Sequence, residues 1–93
     1  MRAIERSNQF KRDYKRELKG LYGRTLAVDL ATVLRSLAAD TPLEPRYRDH
    51  PLRGSFAGYR DCHIRPDLVL IYAKPDADTL QLVRLGSHSE LFE

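Results

Sequence analysis

The chain has 93 residues, of which 42% are apolar and 31% charged, with 16 Lys and Arg against 13 Asp and Glu. That length leaves no room for a second domain and buries only about two-thirds of the unfolded surface, so the core is thin. No apolar run approaches the roughly 18 residues of a membrane helix, the N-terminal stretch lacks a signal-peptide core so that a cytoplasmic location is expected, and a lone cysteine, Cys62, excludes an internal disulfide and a cysteine-based metal site.

In chain order, Met1 to Arg6 reads as a short first strand. Ser7 offers a helix N-cap, after which Phe10, Tyr14, Leu18 and Leu21 recur at helical spacing. The residues between them are mostly charged, so the helix lies on the core along a narrow stripe and presents Lys11, Arg12, Lys15 and Arg16 to solvent or to a polyanion. Gly20 and Gly23 bracket a connection to a second helix marked by Leu26, Leu30, Val33, Leu34 and Leu37, which ends at Asp40-Thr41-Pro42.

From residue 43 onward prolines and glycines suppress helix. Tyr59 to Ile64 reads as a strand, Leu68 to Tyr72 as a continuous apolar strand of the kind found at a sheet centre, and Thr79 to Gly86 as the last strand after the turn KPDAD. The expected architecture is α+β, in the order β-α-α-β-β-β: an antiparallel-rich sheet covered on one face by a helical hairpin.

Charge is unevenly spread. Residues 1–20 carry seven Lys and Arg against three acids, residues 46–65 carry five Arg against two Asp, and residues 66–93 hold two bases and five acids. Two basic segments on so small a chain suit a nucleic-acid partner, and equally suit solvated surfaces.

The stretch YRDHPLRGSFAGYRDCHIRPD holds two of the three histidines, His50 and His63. Along the strand that contains it, His63 shares a face with Asp61, while Arg60, Cys62 and Ile64 share the other. If Cys62 and Ile64 face the core, Asp61 and His63 line the open face, within reach of Asp67. His50 reads as a loop residue beside Pro51. The third histidine, His88, follows Ser87 in the capping-box pattern Ser87-x-x-Glu90, which places it at the first position of a short helical turn. Arg84, two residues before Gly86, is positioned to project to the same face.

Taken alone, Asp61 and His63 could be an ordinary solvated sheet face. Gathered with His50, Asp67, His88 and Arg84, they form the set that metal-free RNA cleavage requires: one imidazole to take the ribose 2′-hydroxyl proton, another to protonate the leaving 5′-oxygen, and a guanidinium for the phosphate. Metal binding ranks lower because no His-x-His or His-x-x-x-His spacing occurs, and no cofactor is expected. Cys62 behaves as a small hydrophobe rather than a nucleophile. Phe92 is either a C-terminal anchor or, near His88, a stacking surface for a base.

Residues 47–92, about half the chain, carry RDHPLRGSFAGYRDCHIRPDLVLIY followed by VRLGSHSELF, and this order of motifs resembles the YafQ-type branch of the RelE/ParE toxins of bacterial toxin–antitoxin pairs. Leu68 stands where that family often has Trp, and Arg48 where Lys is common. The resemblance implies a ribosome-dependent mRNA endonuclease silenced by a small dimeric DNA-binding antitoxin, which alone would contact operator DNA; the 70S ribosome and its message would be the other partners, with no membrane involved. By position it makes His50, His63, Asp67 and His88 the catalytic set, with His88 as proton donor and Arg84 on the phosphate. Asp61 and Phe92 would support substrate placement. Arg60 matches an Arg of related toxins, although strand parity sets it opposite His63. Competing readings are a gyrase poison of the ParE type on the same scaffold, which lacks the histidine cluster, and a non-catalytic RNA-binding domain.

Overall fold

The computed structural model describes residues 1–92. The elements follow the order β1 (Ala3–Arg6), α1 (Asn8–Leu18), α2 (Leu26–Ala38), β2 (His50–Pro51), β3 (Arg60–Arg65), β4 (Leu68–Ala73), β5 (Thr79–Gly86) and α3 (His88–Phe92). The five strands form one sheet in the order β1-β5-β4-β3-β2. Neighbours are antiparallel except β1, which runs parallel to β5 from Ala3 opposite Thr79 to Arg6 opposite Leu82. The expected mixed fold and helical hairpin are present, with one strand more than the sequence suggested. β2 has only two residues, too few for alternation to mark it.

β4 is buried along its whole length, as its unbroken apolar run requires of a central strand. One sheet face packs Cys62, Ile64, Leu70, Tyr72, Leu80, Leu82 and Leu85 against Phe10, Leu26, Leu30, Val33 and Leu37 of the helices. The other face is not bare. Val69, Ile71 and Leu91 form a second small cluster there, bordered by Leu52, Phe56, Tyr59, Val83 and Phe92, so the loop before β3 and the last helix wall it in.

Ser7 caps α1 as expected, its hydroxyl accepting from the Phe10 N–H at 2.9 Å. The helix stops at Leu18 rather than continuing to Leu21, which is 88% exposed. The chain doubles back so tightly that a Cβ on Gly23 would lie 2.0 Å from the Leu18 carbonyl oxygen, a close approach open only to glycine.

β1 ends at Arg6, so β5 beyond Leu82 has no strand on that side. α1 completes the edge with polar groups. The Ser7 N–H and hydroxyl donate to the carbonyls of Leu82 and Val83 at 3.0 and 2.8 Å, and the Leu85 N–H donates to the Asp13 carboxylate at 3.0 Å. Arg16 Nη2 donates to the Leu85 carbonyl at 2.8 Å. Asp13, which lies among the bases of this helix, is fully buried.

Candidate active site

β2 is short, but it sets the site. Its register puts His50 directly opposite Asp61 of β3, and Asp61 opposite Ile71 of β4, so all three side chains share the second face of the sheet. His50 is therefore a strand residue and not, as the sequence suggested, a loop one. His50 Nδ1 lies 2.7 Å from the Arg48 carbonyl oxygen and 3.2 Å from Asp61 Oδ1. Both neighbours are acceptors, so the ring proton belongs on Nδ1 and the neutral imidazole keeps its lone pair on Nε2. His63 has the same bias, its Nδ1 lying 3.3 Å from the Pro66 carbonyl oxygen.

Asp61 is 3% exposed, and its Oδ1 has no aligned protein hydrogen-bond donor: the approach from His50 is close but off-line. Burial pushes its pKa above the ordinary carboxylate range, while the positive potential of His50, His63 and His88 works against that rise. A desolvated carboxyl thus faces the His50 imidazole at 3.2 Å, a kind of perturbation that clusters at functional sites.

The Ser87-x-x-Glu90 capping box forms as read from the sequence. The Ser87 N–H donates to Glu90 Oε1 at 2.8 Å, and the Glu90 N–H donates to the Ser87 hydroxyl at 3.1 Å. This fixes His88 at the start of α3, where its backbone N–H donates to Asp67 Oδ1 at 3.4 Å. Asp67 therefore meets His88 through the backbone. The His88 ring packs 4.8 Å from the Phe92 ring at a tilt of 45°, and Phe92 meets Phe56 edge-on at 5.8 Å. His50, Asp61, His88, Phe56 and Phe92 line one cavity of about 480 Å³, with Arg53 at its wall. Phe56 and Arg53 went unnoticed in the sequence; the only hint was their place between two histidine motifs.

Other candidates are placed differently. Arg84 lies opposite Ile71, on the second face, and its guanidinium grips Asp13 through Nε at 2.8 Å and Nη2 at 3.2 Å. Burial would raise the Asp13 pKa, but the hydrogen bonds from Arg84 and from the Leu85 N–H more than offset this and hold the carboxyl below its usual range. Arg16 is not a free surface base. It bonds Asp13, Glu17 and Glu90 at 3.0, 2.9 and 3.1 Å, because α1 turns this residue toward the end of β5, where a Cβ on Gly86 would come within 2.8 Å of it. Arg60 belongs to the face opposite the histidines: its Nε donates to Asp49 at 3.2 Å, and Asp49 also accepts from the Tyr72 hydroxyl at 2.5 Å. Cys62 is buried in the main core, as parity required, and burial pushes its thiol pKa far up. Lys11 and Lys15 border a groove between α1, α2 and β1, whereas Arg12 is exposed and bonds only Gln9 within its helix.

Among the described residues no three or more His, Cys, Asp or Glu side chains converge as metal donors, and no helix is long and apolar enough to cross a membrane.

A family model described as "Bacterial toxin of type II toxin-antitoxin system, YafQ" matches residues 2–93. The mRNA interferase toxin YafQ of Escherichia coli K12 is 41% identical over 91 residues, covering 98% of this chain and 96% of that protein. The E. coli DinJ–YafQ complex has a toxin chain that superposes with a TM-score of 0.85 at 37% identity, over the full length of both chains. A metal-bound toxin from Helicobacter pylori superposes with a TM-score of 0.81 at 44% identity, over 99% of this chain and all of that one. With the whole chain matched and the same fold recovered, this protein belongs to the YafQ family of bacterial type II toxin–antitoxin toxins.

Proposed function

We propose that the protein inhibits translation by cutting messenger RNA on the ribosome, with imidazole and carboxylate groups as acid and base and without a metal cofactor. The observation that carries this reading is the buried Asp61 carboxyl 3.2 Å from His50, at the wall of a cavity that also presents His88 and Phe92. The name of the E. coli relative, an mRNA interferase, supports the same activity.

In this mechanism His50 Nε2 takes the ribose 2′-hydroxyl proton, with Asp61 stabilising the imidazolium that forms; His63 can serve in the same role. The 2′-oxygen attacks phosphorus, the bond to the 5′-oxygen breaks, and His88 protonates the leaving oxygen. The products are a 2′,3′-cyclic phosphate and a 5′-hydroxyl end. Arg84, oriented by Asp13, offers charge to the phosphate, and Phe92 with Phe56 gives the flanking base an aromatic surface. Asp67 acts on the start of α3, and so on the placement of His88. Lys11, Arg12 and Lys15 remain for ribosomal phosphates.

An antitoxin is the expected partner, a reading supported by the DinJ–YafQ complex of the relative. The apolar groove of about 620 Å³ between α1, α2 and β1, lined by Ile4, Phe10, Tyr14, Leu30 and Leu34 with Lys11 and Lys15 at its border, suits an amphipathic segment bearing acidic residues.

Cell-free translation with primer extension across the message tests the activity. Discrete cuts confined to translated message are expected, and His88→Ala should lower the single-turnover rate by roughly 10² to 10⁴ while ribosome pelleting is kept. Intact message would refute the reading, and if DNA supercoiling were blocked at the same time, the result would favour a gyrase poison. Parental cutting by His88→Ala would remove that residue as the proton donor.

A further inference from the structure

Arg46, Arg48, Arg65 and His63 line a cavity of about 520 Å³ between α2, the end of β3 and the 3-10 turn Pro45–Tyr47, with Asp29 its one lining carboxylate. Arg65 is matched by Asp29 at 2.8 Å. The other two bases are not matched in this way. The Arg46 guanidinium rests 4.7 Å over the Tyr47 ring and meets Glu44 only at 3.8 Å, with both side chains exposed, and Arg48 has no carboxylate partner among the described residues. Two cations therefore face a concave surface with little to neutralise them, which is the condition under which an oxyanion binds.

Two contacts join this cavity to the histidine site. His63 lies in its wall and shares a face of β3 with Asp61, two residues away. Arg48 holds φ at 51°, a left-handed conformation that non-glycine residues seldom adopt, and in that conformation its carbonyl oxygen accepts a hydrogen bond from His50 Nδ1 at 2.7 Å. One backbone segment thus orients an imidazole of the site and also supplies the Arg48 side chain to the cavity.

We propose that this cavity is a second phosphate site, which takes the phosphodiester neighbouring the scissile one on the RNA strand that the histidines cut. The proposal rests on the ribonuclease reading above, and it gives the message strand to Arg46 and Arg48 while Lys11, Arg12 and Lys15 of α1 are left for ribosomal phosphates. The stacked Arg46 is held ready at low entropic cost, and Arg48 offers the bidentate fork that phosphate oxygens accept.

The test is pelleting of Arg46→Ala/Arg48→Ala with 70S ribosomes that are either vacant or programmed with a message 2′-O-methylated at the A-site codon, which blocks attack by the 2′-oxygen. Both positions are exposed, so the fold is expected to survive, and a thermal melt verifies this. On programmed ribosomes affinity should fall about tenfold, and the slope of log affinity against log salt should shrink by about 0.7 for each lost contact to a single strand. Binding to vacant ribosomes should be unchanged, and Arg46→Lys/Arg48→Lys should recover most of the salt slope. Parental affinity and slope on programmed ribosomes would overturn the proposal. An equal loss on vacant ribosomes would also overturn it, since the phosphates concerned would then be ribosomal. Cutting of unmodified message by the parent protein, measured alongside, tests the underlying ribonuclease reading separately.

Discussion

Removing the Asp13 carboxyl should unfold more of this protein than any other single polar substitution. The side chain is fully buried and accepts hydrogen bonds from Arg84, Arg16, Gln9 and the Leu85 N–H. In Asp13→Ala the Leu85 N–H loses its acceptor, which costs about 1–3 kcal/mol. Deleting one partner of a buried ion pair typically costs about 3–5 kcal/mol in all, and the lower half of that range applies here because the Arg84 and Arg16 side chains are 25% and 40% exposed and can regain water. A loss of about 3 kcal/mol lowers the melting temperature of a domain of this size by about 12 °C or more. Asp13→Asn keeps an oxygen for the Leu85 N–H but not the charge, and should fall between parent and Asp13→Ala. Because the folded carboxyl has a lowered pKa, its contribution is present above the ordinary carboxylate range and fades as the pH drops below it, so parent and variant should converge in acid. Thermal melts by circular dichroism from neutral pH to pH 3 measure both effects. Asp13→Ala melting within about 3 °C of the parent at neutral pH would refute the reasoning. Below its melting temperature the variant should also cut more slowly, on the order of 10²-fold, since Arg84 loses the group that orients it.

Asp61→Asn should separate stability from activity in the opposite sense. With its pKa raised, the native Asp61 carboxyl costs stability as the pH rises from the ordinary carboxylate range through its own raised value; the amide avoids that loss, so the variant should melt no lower than the parent at neutral pH, with a flatter profile on the acid side, while its cutting rate falls about 10²-fold. Cys62→Ala should cut at the parental rate, and thiol reagents should label Cys62 only under unfolding conditions, because the side chain is wholly buried and its thiol resists ionisation. A folded Cys62→Ala without activity would contradict the face assignment.

Segments with a long, regular apolar period were legible before any coordinates. α2, β4 and β5 follow the spacing of their leucines and valines, and β5 has the bounds read from the sequence. Parity placed Cys62 in the core and Asp61 with His63 on the other face, and the capping box placed His88. The rest depends on pairing across the chain, which local pattern does not encode. A two-residue strand containing proline leaves no period to detect, so the opposition of His50 and Asp61 was invisible. Arg16 read as a free base because a charged residue beside an apolar stripe usually is; the early end of β1, which leaves β5 in need of donors and acceptors, is what buries Asp13 and ties the half-exposed Arg16 to it. Leu21 continued the helical spacing on paper, yet the close turn at Gly23 ends the helix first.

The polar seam between α1 and the end of β5 also bears on how the chain folds. Asp13 and the Leu85 N–H are 72 residues apart, and β1 finds its only strand partner in β5, so the first and last thirds of the chain close on each other. Loops of that length form slowly and gain nothing until both ends are present. On the ribosome, a nascent chain that ends before Thr79 has no neighbour for β1 and no backbone amide for Asp13. Pairing of β1 and closure of the seam that orients Arg84 therefore require β5 to have been made.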